Sequence, residues 1–347
     1  MSTAPRSTVP AVLALGALVT AGCSETAAPP QPAPASPPAW ALAIHGGAGT
    51  PGRDMPEERR RAYAAALAGV LEEGRQRLER GDRALDVVEA LVALMEDDPL
   101  FNAGRGAVFT ADATHELDAA IMDGATLGGA GVAGLTTVRH PVALARLAMD
   151  KTPHVLLVAG GAERFADEMA VERVPNEWFS TPERREALDK ARAEAAAKAA
   201  AKGTVGAVAL DRSGHLAAAT STGGMTNKRP GRVGDVPILG AGTWADDRSV
   251  AVSCTGWGEQ FIRHGVAREV GDLVRGGLDL EAAARRLIFE ILPADAGGLV
   301  AVGRDGAITM PFSTEGMFRG AADARGRFEV AIWAENEPQP AERAPGS

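Results

Sequence analysis

Residues 199–214 read AAAKGTVGAVALDRSG, and the fold turns on the join in the middle of that stretch. An Ala/Lys/Arg/Glu segment of helical composition runs up to Lys202. Gly203 and Thr204 follow, and Val205-Gly206-Ala207-Val208-Ala209-Leu210 then reads as a buried strand. A helix and a strand are ordinarily joined by a polar loop of a few residues. Either Gly203 ends the helix as a C-cap, or the join has a chemical purpose. If the chain breaks there, Thr204 becomes an N-terminal residue whose α-amine, with a pKa of about 7.7–8.0, lies beside its own hydroxyl nucleophile. Unbroken, Thr204 is a weak nucleophile with no neighbouring base.

Outward from the join, strand 204–210, the turn DRSG and strand 215–222 form a hairpin pattern. Towards the N-terminus, WALAIHGG from Trp40 reads as a buried strand entering a glycine turn. Helical periodicity covers 57–80 and 83–97, with Val87, Leu91 and Leu94 on one face. PLFNAGRGAVF (99–109) is a glycine-punctuated loop, and HELDAAIMDG and GAGVAGLTTV read as strands. Residues 141–151 form a helix with Pro at its start, HVLLVAGG is a strand and turn, and 182–202 is helical. Towards the C-terminus, SVAVSCTG (249–256) is a strand, helices follow at 258–275 and 279–291, 298–310 is a second hairpin, and FEVAIW (328–333) is the last strand. Strands cluster in hairpins and helices come in pairs, which predicts an α+β fold with helices outside largely antiparallel sheets.

The 347 residues, 46% hydrophobic and 23% charged, are ordinary for a soluble globular protein of one large or two medium domains. A net charge of −9 gives no basic footprint for nucleic acid. Two cysteines, Cys23 and Cys254, supply neither a disulfide framework nor a cysteine zinc site. Residues 1–22 carry Arg6, a short apolar run and Thr20-Ala21-Gly22 ahead of Cys23, which resembles a bacterial lipoprotein signal with Cys23 as the lipidated residue. Residues 23–39 are a Pro/Ala tether and 335–347 a disordered tail, so the expected location is exported, periplasmic or on the cell envelope.

Several motifs point nowhere. GAGVAG (129–134) matches a dinucleotide glycine pattern, but no helix follows it. His115, Glu116 and Asp118 fall on alternate sides of a strand and do not form a metal set. No G-x-S-x-G elbow is present. Others carry chemistry. IHGGAG (44–49) leaves backbone N–H groups bare for an oxyanion or ligand. STGGMTNKRPGRVGD (221–235) sets Arg232 and Asp235 three residues apart among glycines, a cation and an anion suited to a zwitterionic amino-acid head group or to a surface ion pair. SCTGWGE (253–259) ends a strand in Thr255-Gly256, a hydroxyl and an N–H able to face an oxyanion.

Together HGGAG, PLFNAGRGAVF, THELDAAIMDG, GTVGAVALD, ATSTGGMTNKRPGRVGD and CTGWGE resemble the plant-type L-asparaginase and isoaspartyl peptidase family of threonine-type N-terminal-nucleophile hydrolases, over roughly residues 40–334. The resemblance implies a four-layer αββα sandwich, self-cleaved between Gly203 and Thr204 into an α chain (40–203) and a β chain (204–334), assembled as a homodimer of such pairs. It implies Thr204 as nucleophile, Thr222 tuning it, and Thr255 and Gly256 as the oxyanion hole. Arg232 would hold the substrate α-carboxylate and Asp235 its α-amine, with Gly258 lining the site. A Na+ or K+ ion would be held by the backbone carbonyls of Met95, Glu96, Asp98, Phe101, Ala103 and Arg105, with Asn102 in the same loop and no cofactor used in catalysis. The implied substrates are β-aspartyl dipeptides and L-asparagine. Trp257 departs from the small or polar residue usual after the Thr-Gly pair and is expected to shift the balance between the two. A glycosylasparaginase shares the Thr nucleophile and the Arg–Asp pair, and an inactive membrane-anchored binding lipoprotein of the same fold is the alternative from another class.

Overall fold

A computed structural model describes residues 40–49, 52–193 and 203–334. The expected signal with Cys23, the tether, the helical stretch past Ala193 and the tail after 334 lie outside the described residues. The strands are β1 (Ala41–Gly49), β2 (Leu117–Asp123), β3 (Gly129–Leu135), β4 (Leu156–Val158), β5 (Val205–Leu210), β6 (Leu216–Thr222), β7 (Thr243–Ala245), β8 (Val250–Gly256), β9 (Gly297–Gly303), β10 (Ile308–Thr309), β11 (Gly316–Asp323) and β12 (Phe328–Ala331). The helices are α1 (Glu57–Arg80), α2 (Ala84–Asp97), α3 (Pro141–Lys151), α4 (Ala159–Glu168), α5 (Pro182–Ala193), α6 (Gly258–His264), α7 (Val266–Arg275) and α8 (Leu280–Arg285).

The strands make two sheets. One has eight strands in the order β12-β11-β1-β5-β6-β2-β3-β4, and the other has four, β10-β9-β8-β7. Only β3 and β4 pair in parallel; every other ladder is antiparallel. Strand alternation sorts the side chains. In β1, Leu42 and Ile44 pack with Leu67, Leu71 and Leu91 of α1 and α2, while Ala41 and Ala43 face the second sheet. In β5, Val205, Ala207 and Ala209 lie under the helices, and Val208 and Leu210 face Ala251, Val300 and Val302 across the inter-sheet space. The outer face of the second sheet, Val250, Val252 and Cys254, packs on α7 and α8 through Val266, Val270 and Ala283, and on Leu287 in the helical turn Arg286–Ile291 that follows α8. Each well-buried aliphatic side chain contributes about 1.5–3 kcal/mol, and the small residues facing inward let the sheets approach closely. A Cβ on Gly206 would stand 2.0 Å from Ser253 Oγ.

The same parity carries function. Thr204 shares its side of the chain with Val208 and Leu210, Thr220 and Thr222 theirs with Leu216 and Ala218, and Ser253 and Thr255 theirs with Ala251. All therefore turn into the space between the sheets.

The structure departs from the sequence expectation in four places. HVLLVAGG does not end in a turn; α4 starts at Ala159. The expected helix 258–275 is two helices broken at left-handed Gly265 (φ +55°). The strands β7 and β11 carry too little apolar alternation to be read from sequence.

Candidate functional site

Thr204 enters β5 buried, 6% exposed, at the end of the inter-sheet space. Its hydroxyl donates to Thr222 Oγ1 at 3.2 Å. Thr222 also accepts Gly224 N–H at 2.9 Å and donates to the Gly203 carbonyl oxygen at 3.0 Å. That same oxygen accepts Asn102 Nδ2 at 2.7 Å. The carbonyl preceding Thr204 is thus held by two donors, and the Thr204 hydroxyl is connected to it through one other hydroxyl. Asn102 is fixed in turn, its Oδ1 accepting Val108 N–H at 2.9 Å and its amide reaching Gly224 O at 2.8 Å. The HGGAG loop closes over this point: a Cβ on Gly47 would lie 3.0 Å from Gly203 Cα and 3.2 Å from Thr204 N. A cleft of about 350 Å³ opens beside Gly203, lined by Gly46, Gly47, Ala48, Asn102 and Phe318 among others.

His45 was not singled out by the sequence, yet it touches Thr204. Its Nδ1 lies 2.9 Å from the Thr204 carbonyl oxygen and its Nε2 2.8 Å from Ser253 Oγ. Burial pushes the imidazole down to about 3, so it is neutral. A carbonyl only accepts, so Nδ1 carries the proton and Nε2 must accept from Ser253. Ser253 then accepts from Thr220 (2.8 Å), and Thr220 from Thr243 (2.7 Å). Four side chains from both sheets form one directed chain that ends on Thr204.

Thr255 is tied to the same loop, its Oγ1 accepting Ala48 N–H at 3.0 Å. Gly256 has φ +146°, and a Cβ there would lie 2.2 Å from Ala296 O, so only glycine fits.

The other end of the site is charged. Arg232 gives Nε and Nη2 to the two carboxylate oxygens of Glu259 at 2.9 and 3.0 Å. Asp235 is 5% exposed, and its Oδ2 is buried without a hydrogen-bond partner. Burial pushes its carboxyl up to about 7, against the pull of Arg232. Gly258 allows this crowding: a Cβ there would stand 2.8 Å from Asp235 Oδ1 and 3.0 Å from Arg232 Nη2. Behind lie buried Lys228, whose Nζ donates to Glu116 O at 2.8 Å, and buried Asp118, whose Oδ2 has no partner. Burial pushes the first down and the second up. Lys228, Asp118 and Glu259 were missed by sequence reasoning as site residues. Only the strand parity of Asp118 and the place of Glu259 inside the CTGWGE block hinted at them.

The loop after α2 folds tightly on its own carbonyls. Phe101 N–H donates to Asp98 O and Gly106 N–H to Ala103 O, each at 3.2 Å. A Cβ on Gly104 would be 2.1 Å from Glu96 O, and one on Gly106 2.1 Å from Phe101 O. The Arg105 guanidinium lies 5.1 Å over the Trp178 ring, away from its own carbonyl. The Glu96 side chain points elsewhere: its Oε1 accepts Ser221 Oγ at 2.6 Å and Val142 N–H at 3.1 Å, and burial pushes it up to about 8. Met95 is buried in the helix–sheet core. Among the described residues no group of three or more His, Cys, Asp or Glu side chains is placed to hold a metal ion. Neutral carbonyl oxygens are ligands for a hard cation.

A buried hydroxyl linked through Thr222 to a carbonyl held by two donors is an arrangement suited to a hydrolase, and comparison with known proteins defines the class. The asparaginase family model matches residues 38–332. The isoaspartyl peptidase of Salmonella typhimurium is 52% identical over 292 residues, 80% of this chain and 93% of that protein. The isoaspartyl peptidase of Escherichia coli is 52% identical over 292 residues, 80% of this chain and 91% of that protein. An Arabidopsis thaliana protein named probable isoaspartyl peptidase/L-asparaginase 2 is 42% identical over 323 residues, 85% of this chain and 99% of that protein. The chain belongs to the asparaginase family.

Proposed function

We propose that this protein is an isoaspartyl peptidase with L-asparaginase activity, activated by cleavage of its own Gly203–Thr204 bond. The observation that carries the reading is the linear set Thr204 hydroxyl, Thr222 hydroxyl, Gly203 carbonyl, with Asn102 as second donor to that carbonyl. Thr204 Oγ1 attacks the Gly203 carbonyl carbon, the C–N bond breaks, and the acyl group passes to the hydroxyl as an ester. Water then releases the Gly203 carboxylate and leaves Thr204 with a free α-amine.

In the cleaved enzyme that amine takes the hydroxyl proton as Thr204 attacks the side-chain carbonyl of an aspartyl unit, and hands it to the departing amine. Water hydrolyses the resulting β-aspartyl ester. Thr255 and Gly256 serve as oxyanion donors. Arg232 takes the α-carboxylate on its unused Nη1, and the orphaned Oδ2 of Asp235 takes the α-ammonium. The hydroxyl and amine of Thr204 supply the chemistry without a cofactor. A Na+ or K+ ion held by the carbonyls of Met95, Glu96, Asp98, Phe101, Ala103 and Arg105 would brace the loop that carries Asn102.

The layering of α1–α3, the two sheets, and α7–α8 supports the αββα sandwich. Exposed Leu156 and Val158 on edge strand β4, with exposed Val155 just before it, support assembly into a homodimer of αβ units. Export with a lipid anchor on Cys23 remains part of the same reading, to be tested by fatty-acid labelling of wild type against Cys23→Ala.

The test of function is the intact mass of purified protein lacking residues 1–39, with activity on β-aspartyl dipeptides and L-asparagine. Two pieces, one beginning Thr-Val-Gly-Ala-Val, with both activities, are expected. A folded chain that stays whole on long incubation overturns the reading.

A further inference from the structure

The mechanism above leaves Glu259 without a role, although it makes the closest contact with the residue that recognises substrate. It is the second residue of α6, and its carboxylate takes the Nε–Nη2 edge of Arg232 in two parallel hydrogen bonds of 2.9 and 3.0 Å. The side chains are 15% exposed for Arg232 and 35% for Glu259. Arg232 Nη1 has no hydrogen-bond partner among the described residues. Glycines keep that nitrogen open, since a Cβ on Gly234 would stand 2.9 Å from it and one on Gly224 3.4 Å. Asp235, close enough that a single Cβ on Gly258 would touch both it and Arg232, makes no ion pair with Arg232.

A free arginine beside a buried, unpaired carboxylate would turn onto it, because a charge-assisted pair relieves both groups. Glu259 prevents that by holding the opposite edge of the guanidinium. We propose that Glu259 is a positioning residue for head-group recognition: by clamping one edge of Arg232 it aims the other at the substrate α-carboxylate and keeps Asp235 free for the α-ammonium. Preorganising a long side chain avoids the cost of ordering it on binding.

This rests on the activity proposed above, so wild type and variant are assayed together. In Glu259→Gln the amide keeps one acceptor and loses the other, and Arg232 is released towards Asp235. The expected result is a KM raised about tenfold for both L-asparagine and a β-aspartyl dipeptide, with kcat within about twofold and self-cleavage unchanged. The charged or titratable groups facing Asp235 are Arg232, Glu259, Asp118 and Cys254, with Lys228 acting on Asp118 and Arg232. Losing one negative charge and gaining a close positive one moves the acid limb of kcat/KM to lower pH by about one unit. Glu259→Asp, which keeps the charge, is expected to restore the position of that limb and also serves if Glu259→Gln does not fold. An unchanged KM with an unchanged acid limb overturns the inference, and a lowered KM would make Glu259 a competitor of substrate instead. If the wild type itself hydrolyses neither substrate, the activity reading falls, and this inference with it.

Discussion

Around Thr204 stand neutral groups that satisfy one another, whereas around Arg232 stand charges of which only some are paired. The chain runs from Thr243, whose hydroxyl also reaches the Val236 carbonyl, through Thr220, Ser253 and His45, and ends on the Thr204 carbonyl. Arg232 has Glu259, but near it Asp235 and Asp118 each keep a buried oxygen without a partner. An unpaired buried polar atom costs about 1–3 kcal/mol, and a ligand that pairs these two oxygens would recover that cost. The Thr204 end is therefore internally satisfied, and the Arg232–Asp235 end keeps unpaired carboxylate oxygens, which on the proposed reading a substrate zwitterion would take.

The largest effects break the nucleophile end. Thr204→Ala is expected to leave the chain whole and to lower hydrolysis by on the order of 10⁴-fold or more, checked by intact mass and ammonia release. At the recognition end the comparison predicts a separation. Arg232→Ala should lower kcat/KM about 10²- to 10³-fold while self-cleavage proceeds at the wild-type rate. A block in cleavage would show that the two ends are one unit.

Protonation sharpens the contrast. Asp235 must be anionic to take an ammonium, and its carboxyl is raised to about 7. The acid limb of kcat/KM is therefore expected to rise through about pH 7, and Asp235→Asn should abolish it along with most of the activity. His45 has the opposite sign. Its folded value, about 3, lies below the ordinary 6.5, so its neutral form stabilises the fold above pH 6.5 and that stability is lost as pH falls towards 3. The loss reaches on the order of 4 kcal/mol. His45→Gln should lower Tm by roughly 4–8 °C at pH 7.5 for a loss of about 2 kcal/mol, and should flatten the decline of Tm between pH 6.5 and 4. Equal slopes in the two proteins would remove His45 from the account.

The smallest effect is expected at Trp257, which is 37% exposed ahead of α6. Trp257→Thr should change the ratio of dipeptide to asparagine turnover by about threefold or less. An unchanged ratio means that the indole does not touch the leaving group.

Much of this was legible in the chain. Helices 57–80 and 141–151 match their apolar spacing residue for residue, and VGAVAL forms the strand it spells. Strand parity alone turns Thr204, Thr222 and Thr255 to one side. Strand β11 was not legible, because GMFRGAAD has two glycines and a buried Arg319 in place of alternation. It is a strand because β1 and β12 pair with it on either side and the carbonyls of Met317 and Trp333 receive its guanidinium. His45 and Glu259 were equally silent. His45 meets partners 159 and 208 residues away, and Glu259 meets Arg232 27 residues away, with strands β7 and β8 between them.

The sequence by itself determined the elements and the set of reactive groups, because helix periodicity, strand alternation and a Gly-Thr join are local properties of the chain. Only the tertiary structure decided which groups are satisfied and which are left open. Hydrogen-bond partners, burial and pKa are set by residues that pack from the opposite sheet, and no local pattern encodes that distance.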